Sequence, residues 1–375
     1  MFETLSLLTL QQYWWLIISL LAALFVFLTF VQGGQTLLYS IAKNENEKAL
    51  VINTLGRKWE ITFTVLVVFG GSFFASFPLF YSTSFGGAYW VWIAILFSFV
   101  IQAVSFEFRK KPHNLLGAKT FEMFLFLNGL FGPLLIGVAL GTFFNGAMFS
   151  LDDMNRVSWG TPFRGLEAVL DFHNVALGLT VFFLSRVLGL LYFMNSIHDQ
   201  TIYQRSKKQL LYNTLPFLVF FLYFTIALMF KEGVAYRPET EEMVIEPMKY
   251  MHNLVAMPLN TLMFLIGVVA VLYGIIFSYL KGGTRGIWYA GGGTILTVWA
   301  LFILAGFNNT SFYPSLLDLQ SSLSIQNASS THFTLTAMSY VSLWVPVVIW
   351  YISYVWKMMN KTQITTEELE KEHHY

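Results

Sequence analysis

The sequence predicts an all-α integral membrane protein with nine transmembrane helices, the N-terminus outside and the C-terminus in the cytoplasm. Three observations carry this. Apolar residues make up 56% of the chain and charged ones 11%, whereas roughly a quarter of a soluble domain is charged. From Ile61 to Phe106 there is no charged residue at all, a run long enough for a hairpin of two spans at about 20 residues each. Finally, Lys and Arg are unevenly shared between the two sets of loops, which fixes a sidedness.

The first span is expected at about 12–33. Met1 to Leu10 carries Glu3 and neither Lys nor Arg, and the apolar run behind it is too long for a cleavable leader. This helix is therefore expected to stay in the mature protein. Spans two and three, about 61–82 and 87–107, form the charge-free hairpin, with Lys58 and Glu60 at one foot and Glu107, Arg109, Lys110 and Lys111 at the other. Span four covers about 122–146 and opens on Glu122, while span five covers about 166–194 and contains Arg186. Spans six to nine fall at about 210–230, 257–280, 286–306 and 333–357. No long polar stretch separates them, so residues 1–361 read as one polytopic membrane domain, followed by a polar cytoplasmic tail at 362–375.

Arg156, Arg164, Lys231, Arg237 and Lys249 lie in one set of loops, and Arg186 lies within a span. The remaining sixteen of the 22 Lys and Arg follow helices 1, 3, 5 and 7 or sit in the tail. By the positive-inside rule that richer side is cytoplasmic. The outer loops, Asp152–Arg164, Lys231–His252 and Phe307–His332, read as solvated connections, with a partner-docking face as the rival reading. Asn308-Asn309-Thr310 and Asn327-Ala328-Ser329 match the glycosylation triplet, a pattern frequent by chance.

Several chemistries are excluded. With no cysteine there is no disulfide, iron–sulfur cluster or thiolate site. A net charge of +1 gives no electrostatic case for nucleic acid. The Gly70-Gly71, Gly86-Gly87 and Gly291-Gly292-Gly293 runs precede no helix with a Lys-Ser/Thr pair, so no phosphate loop is indicated. His173, His252 and His332 sit near outer helix ends, and His113, His198, His373 and His374 fall in cytoplasmic loops or the tail. None is at mid-span, where a buried haem ligand is expected, so no cofactor is assigned to this chain alone.

Ionisable groups inside or bordering spans are costly and therefore informative. Glu60, Glu107 and Glu122 are expected at one depth on the cytoplasmic side, either as a proton-entry mouth or as interfacial carboxylates favoured in part by helix N-termini. Gln32 and Gln35 close the first helix and could line a wet path or bond across helices. Arg186, about two turns inside the fifth helix, could snorkel or hold a partner acid, and Glu107 is expected to pair with Arg109 or with the basic loop after it. A secondary transporter binding substrate through Arg186 and Glu60 is the alternative function. Such a protein should show broken helices at matching midplane positions, and neither Pro78 nor Pro133 has a charged midplane neighbour.

The hairpin also carries a resemblance. GGSFFASFPLFYSTSFGGAY followed by VSFEFRKK is similar to the second and third helices of subunit II of the cytochrome bd quinol oxidases. The matching features are Gly70-Gly71, Ala75 to Pro78, Tyr81, Gly86-Gly87 and Phe106-Glu107-Phe108-Arg109. The likeness continues in GPLLIGVALGTFFNGAMFSLDD (Gly132 to Asp153) and NASSTHFTLTAMSYVSLWVPVVIWYISYVWKM (Asn327 to Met358). It implies a bacterial inner-membrane heterodimer with a haem-bearing subunit I, which holds haems b and d, oxidises quinol and reduces oxygen to water. Subunit II then holds no haem, supports assembly and contributes to cytoplasmic proton uptake. The resemblance leaves room for small accessory subunits and for a structural quinone or lipid.

The chain departs from the family pattern in two places. Gln32-Gly33-Gly34-Gln35 stands where the family has Asp-Gly-Phe-Asp, so both carboxylates are gone. Of the family's Trp-Asp-Gly-Asn-Glu/Gln opening of helix 2 only Trp59-Glu60 survives, which makes Glu60 the expected ionisable heir. Glu122 stands where the family has an Asp after a Trp, with Phe121 in place of that Trp.

Overall fold

The computed structural model describes residues 2–111 and 114–359; the tail 362–375, His113, His373 and His374 lie outside the described residues. Among these, nine helices are long and apolar enough to cross a membrane: α1 (Leu7–Gln35), α2 (Glu45–Ser76), α3 (Tyr89–Phe108), α4 (Ala118–Asn145), α5 (Phe172–Ser196), α6 (Gln200–Phe230), α7 (Pro258–Lys281), α8 (Gly286–Gly306) and α9 (His332–Met359). The spans are those the hydropathy predicts, but several begin earlier. Helix α2 starts at Glu45, capped by the Asn44 side chain, and is interrupted only at Arg57-Lys58. Helix α6 starts at Gln200, capped by Asp199 at 2.7 Å, and takes Arg205, Lys207 and Lys208 into its first turns. Caps of this kind satisfy orphan N–H groups and let a helix continue past its apolar run into polar surroundings.

The hinge of the hairpin is not a simple turn. Phe77 leaves helical geometry (φ −133°, ψ 66°), Pro78 opens a short piece Pro78–Phe80, and Tyr81–Gly86 winds as a π-turn. Proline supplies no N–H and pushes its predecessor out of the helical region.

Helix α5 is the hub. It packs on α1, α4 and α6, and most of its residues are buried. The close approach to α1 depends on Gly33, where an added Cβ would lie 2.1 Å from the Ser185 carbonyl carbon. Gly137 of α4 meets Gly178 of α5 in the same way, at 2.6 Å. Small residues at such crossings let backbones touch, which is how helices associate where lipid supplies no hydrophobic driving force.

Hydrogen bonds tie the helix ends into two faces. On the basic face, Arg205 bonds the Ile41 carbonyl and Glu47, Tyr203 bonds the Gly282 carbonyl, Asn195 bonds Thr284, and Arg57 bonds Met359. The opposite face carries three two-stranded antiparallel hairpins: β1–β2 (Phe149–Leu151, Val157–Trp159), β3–β4 (Gly233–Arg237, Glu242–Glu246) and β5–β6 (Ser311–Tyr313, Leu323–Ser324).

The last hairpin corrects the reading of Phe307–His332 as a solvated connection. Phe312 and Leu323 are fully buried. The Phe312 ring lies 4.4 Å from Trp15 and 5.4 Å from Phe80, so the loop plugs the bundle through an aromatic cluster. Its serines and asparagines bond the loop's own backbone, as in Ser311 Oγ to the Leu323 carbonyl and Asn327 Nδ2 to the Ser322 carbonyl. Asn308, first of one glycosylation triplet, donates instead to a side chain outside the loop, Asn253 Oδ1 at 2.9 Å.

On the same face, Glu246 of β4 accepts from Lys249 Nζ (2.8 Å) and His252 Nδ1 (3.0 Å). Partial burial opposes ionisation, but the bonds and charges of Lys249 and His252 prevail and hold the carboxyl below its ordinary value of 4.5. A depressed carboxyl contributes stability above its unfolded value and loses it as the pH falls through the folded one. The protection of the β3–β4 amides, corrected for the intrinsic pH dependence of exchange, should therefore fall as the pH drops below about 4.5. A Glu246→Gln protein that loses the same protection over the same acid range would remove Glu246 as the cause.

Candidate functional site

The basic ends of α1 to α4 converge on one buried carboxylate. Glu122, in the first turns of α4, is 1% exposed. Its Oε1 accepts from Arg109 Nη2 at 2.7 Å and Nε at 3.2 Å, a forked grip that only a guanidinium provides. Its Oε2 accepts from Lys48 Nζ at 3.1 Å and, at 3.4 Å, from the Tyr39 hydroxyl. Glu45, at the rim, completes the set by pairing with Lys48 at 2.9 Å and Arg109 at 3.4 Å. Two carboxylates and two cations balance. A buried ion set holds together only when its charges cancel and its lone pairs are bonded, and both conditions are met.

One layer deeper, three spans contribute amides. Asn128 lies six residues along α4 from Glu122, about 9 Å at 1.5 Å per residue. Gln102 of α3 lies seven residues before Arg109, and Gln32 lies near the end of α1. All three are fully buried. Gln32 Nε2 donates to Gln102 Oε1 at 3.2 Å, and Asn128 Nδ2 donates to Ser98 Oγ at 3.4 Å. Gly129 gives α1 room, since a Cβ there would lie 2.4 Å from the Gln32 carbonyl oxygen. Gln32 Oε1, Gln102 Nε2, Asn128 Oδ1 and both amide atoms of the buried Gln35 have no protein partner. Buried polar atoms of this kind are the ones that water bonds.

The structure joins Arg109 to Glu122 and sets Gln32 against Gln102 one layer deeper, and it separates Glu60 and Glu107 from them. Glu60 is exposed at the start of the second part of α2 and forms no ion pair among the described residues. Thr62, two residues on and thus roughly 200° around the helix, is the residue that faces the bundle. Glu107 is exposed and pairs with Lys111 at 3.2 Å, not with Arg109. The inward carboxylate of this site is therefore Glu122, with the exposed Glu45 at its rim. Sequence reasoning missed Glu45, Lys48, Tyr39, Gln102 and Asn128. The polar Gln102 inside a charge-free hairpin was the available signal.

Arg186 lies ten residues before the end of α5, nearer three turns than two. It donates from Nε to Asn213 Oδ1 (2.5 Å) and from Nη1 to Thr36 Oγ1 (2.8 Å), so its partners are neutral.

Among the described residues no group of three His, Asp or Glu side chains converges as a metal site. An apolar cavity of about 70 Å³ lies between α1, α4, α5, α6, α7 and α8, lined by Val26, Phe144, Leu184, Phe217, Val271 and Leu301 among others. The hydroxyls of Thr180, Thr294 and Thr297 on its wall donate to carbonyls of their own helices. Its wall therefore offers a ligand no spare threonine donor.

A family model described as cytochrome bd terminal oxidase subunit II matches residues 10–359. The chain is 25% identical to the cytochrome bd-I ubiquinol oxidase subunit 2 of Escherichia coli (strain K12), over 96% of this chain and 97% of that one. It is 27% identical to the cytochrome bd ubiquinol oxidase subunit 2 of Bacillus subtilis (strain 168), over 89% and 91% respectively. In fold it is similar to a chain from the structure of the bd oxidase of Geobacillus thermodenitrificans, with a TM-score of 0.63, 10% identity, and coverage of 94% of this chain and 99% of that one.

Proposed function

The chain belongs to the cytochrome bd terminal oxidase subunit II family, and from that premise we propose that it is the haem-free, multi-pass membrane subunit of a quinol oxidase. Its partner is a haem-bearing subunit I carrying haems b and d, with quinol and oxygen as substrates of the complex. The basic face is cytoplasmic and the hairpin face is outside, in keeping with the bias of Lys and Arg.

Within the complex this subunit contributes a water-borne route for cytoplasmic protons. The observation that carries this reading is the amide layer of Gln32, Gln102 and Asn128 directly beneath the charge-balanced Glu122 cluster. Glutamine cannot exchange a proton at physiological pH, but it accepts and donates, so it orients the waters along which a proton moves. The Glu122 set keeps the mouth polar without adding net charge. This replaces Glu60, whose exposed position leaves it outside the layer. The transporter alternative finds no support in the family match.

The test is purification through this chain followed by absorption spectroscopy. Co-purifying b- and d-type haem, held by a second polypeptide and reduced by quinol, is the expected result. Material without those haems would reject the oxidase assignment.

A further inference from the structure

We propose that Arg186 is the floor of a site for the phosphate of an anionic lipid, set between α5 and α6 beside the end of α1. Among the buried or half-buried cations, Arg109, Lys48, Arg205 and Lys249 each hold a carboxylate, whereas Lys58 lies over the Trp356 ring and beside the Met359 sulfur. Arg186 holds none among the described residues; its two bonds go to the neutral oxygens of Asn213 and Thr36. Those partners are fixed as acceptors. Asn213 Nδ2 is committed to the Gln209 carbonyl at 2.8 Å and Thr36 Oγ1 to the Gly33 carbonyl at 2.7 Å. They aim the guanidinium without neutralising it. The Phe182 ring, 5.5 Å from Cζ, packs against its flank, and Nη2 makes no bond among the described residues.

A cation at this depth is costly unless an anion meets it. The side chain is only partly buried, so an anion can reach it. A guanidinium with an unused edge fits the oxygens of a phosphate in a planar, forked way that an ammonium does not. Basic pockets between membrane helices on the cytoplasmic side are where lipid phosphates are held. This inference goes beyond the proton route and does not depend on it.

The test is thermal unfolding of the delipidated, detergent-solubilised complex with added phosphatidylglycerol, phosphatidylcholine or inorganic phosphate. Phosphatidylglycerol is expected to raise the midpoint by about 3 °C or more above phosphatidylcholine, with Arg186→Gln abolishing the difference. Asn213→Asp supplies an internal carboxylate at the 2.5 Å contact. It should give an assembled complex that no longer responds to phosphatidylglycerol, which keeps the test valid even where Arg186→Gln fails to assemble. Equal midpoints with the two lipids, a gain that persists in either variant, or an equal gain from inorganic phosphate would each overturn the lipid site.

Discussion

Glu122→Gln should destabilise the subunit by about 3–5 kcal/mol, the usual consequence of removing one partner of a buried ion set. The loss is large because Arg109, 3% exposed at its side chain, keeps its charge while its two bonds to Oε1 weaken. Lys48 loses its buried partner and retains only Glu45, which is 73% exposed. The amide keeps the shape and the hydrogen-bonding reach, so what is measured is the charge. Arg109→Gln combined with Glu122→Gln should recover part of the loss, since the pair then leaves no uncompensated charge between them. Thermal unfolding and the yield of haem-loaded complex give both readings. A Glu122→Gln complex as stable as the parent would mean that the cluster is not held by its charges.

The second large effect is expected on rate. Gln32→Leu with Gln102→Leu exchanges two amides for apolar groups of similar volume. Replacing both partners of a buried bond in this way is nearly neutral for stability. The layer beneath Glu122 then offers water few partners, and turnover of a proton-consuming reaction should fall about tenfold or more, equivalent to ~1.4 kcal/mol on the barrier. The haem content should be unchanged, because the substitution lies in a chain to which no haem is assigned.

How legible these features were in the sequence differs from residue to residue. The nine spans were plain, because an apolar run of about 20 residues has few other uses. Their polar extensions were not. Glu45 and Lys48 looked like loop residues because apolar content stops near Ile61, yet the Asn44 cap carries the helix through them. That error hid half of the Glu122 cluster. The Ser- and Asn-rich segment after Phe307 looked solvated for a related reason: its polar side chains serve the loop's own backbone, which frees Phe312 and Leu323 to enter the core.

Glu60 shows a second limit. It opens an apolar run, but that position does not give rotation about the helix axis. The structure turns Thr62 inward and Glu60 outward. Gln32 and Gln35, by contrast, were marked by what they replace in the family pattern. Both are buried, at the level where α1 meets α4 and α5.

The measurement that bears most directly on the proton route is oxygen consumption per haem d, compared across pH 6 to 8 (roughly the physiological window) for three preparations. These are the parent complex, Glu60→Gln, and Gln32→Leu with Gln102→Leu. The amide-layer double variant is expected to be slower by about tenfold at every pH with full haem content, while Glu60→Gln matches the parent. Parental turnover in the double variant, or a loss confined to Glu60→Gln, would contradict the route through Gln32, Gln102 and Asn128.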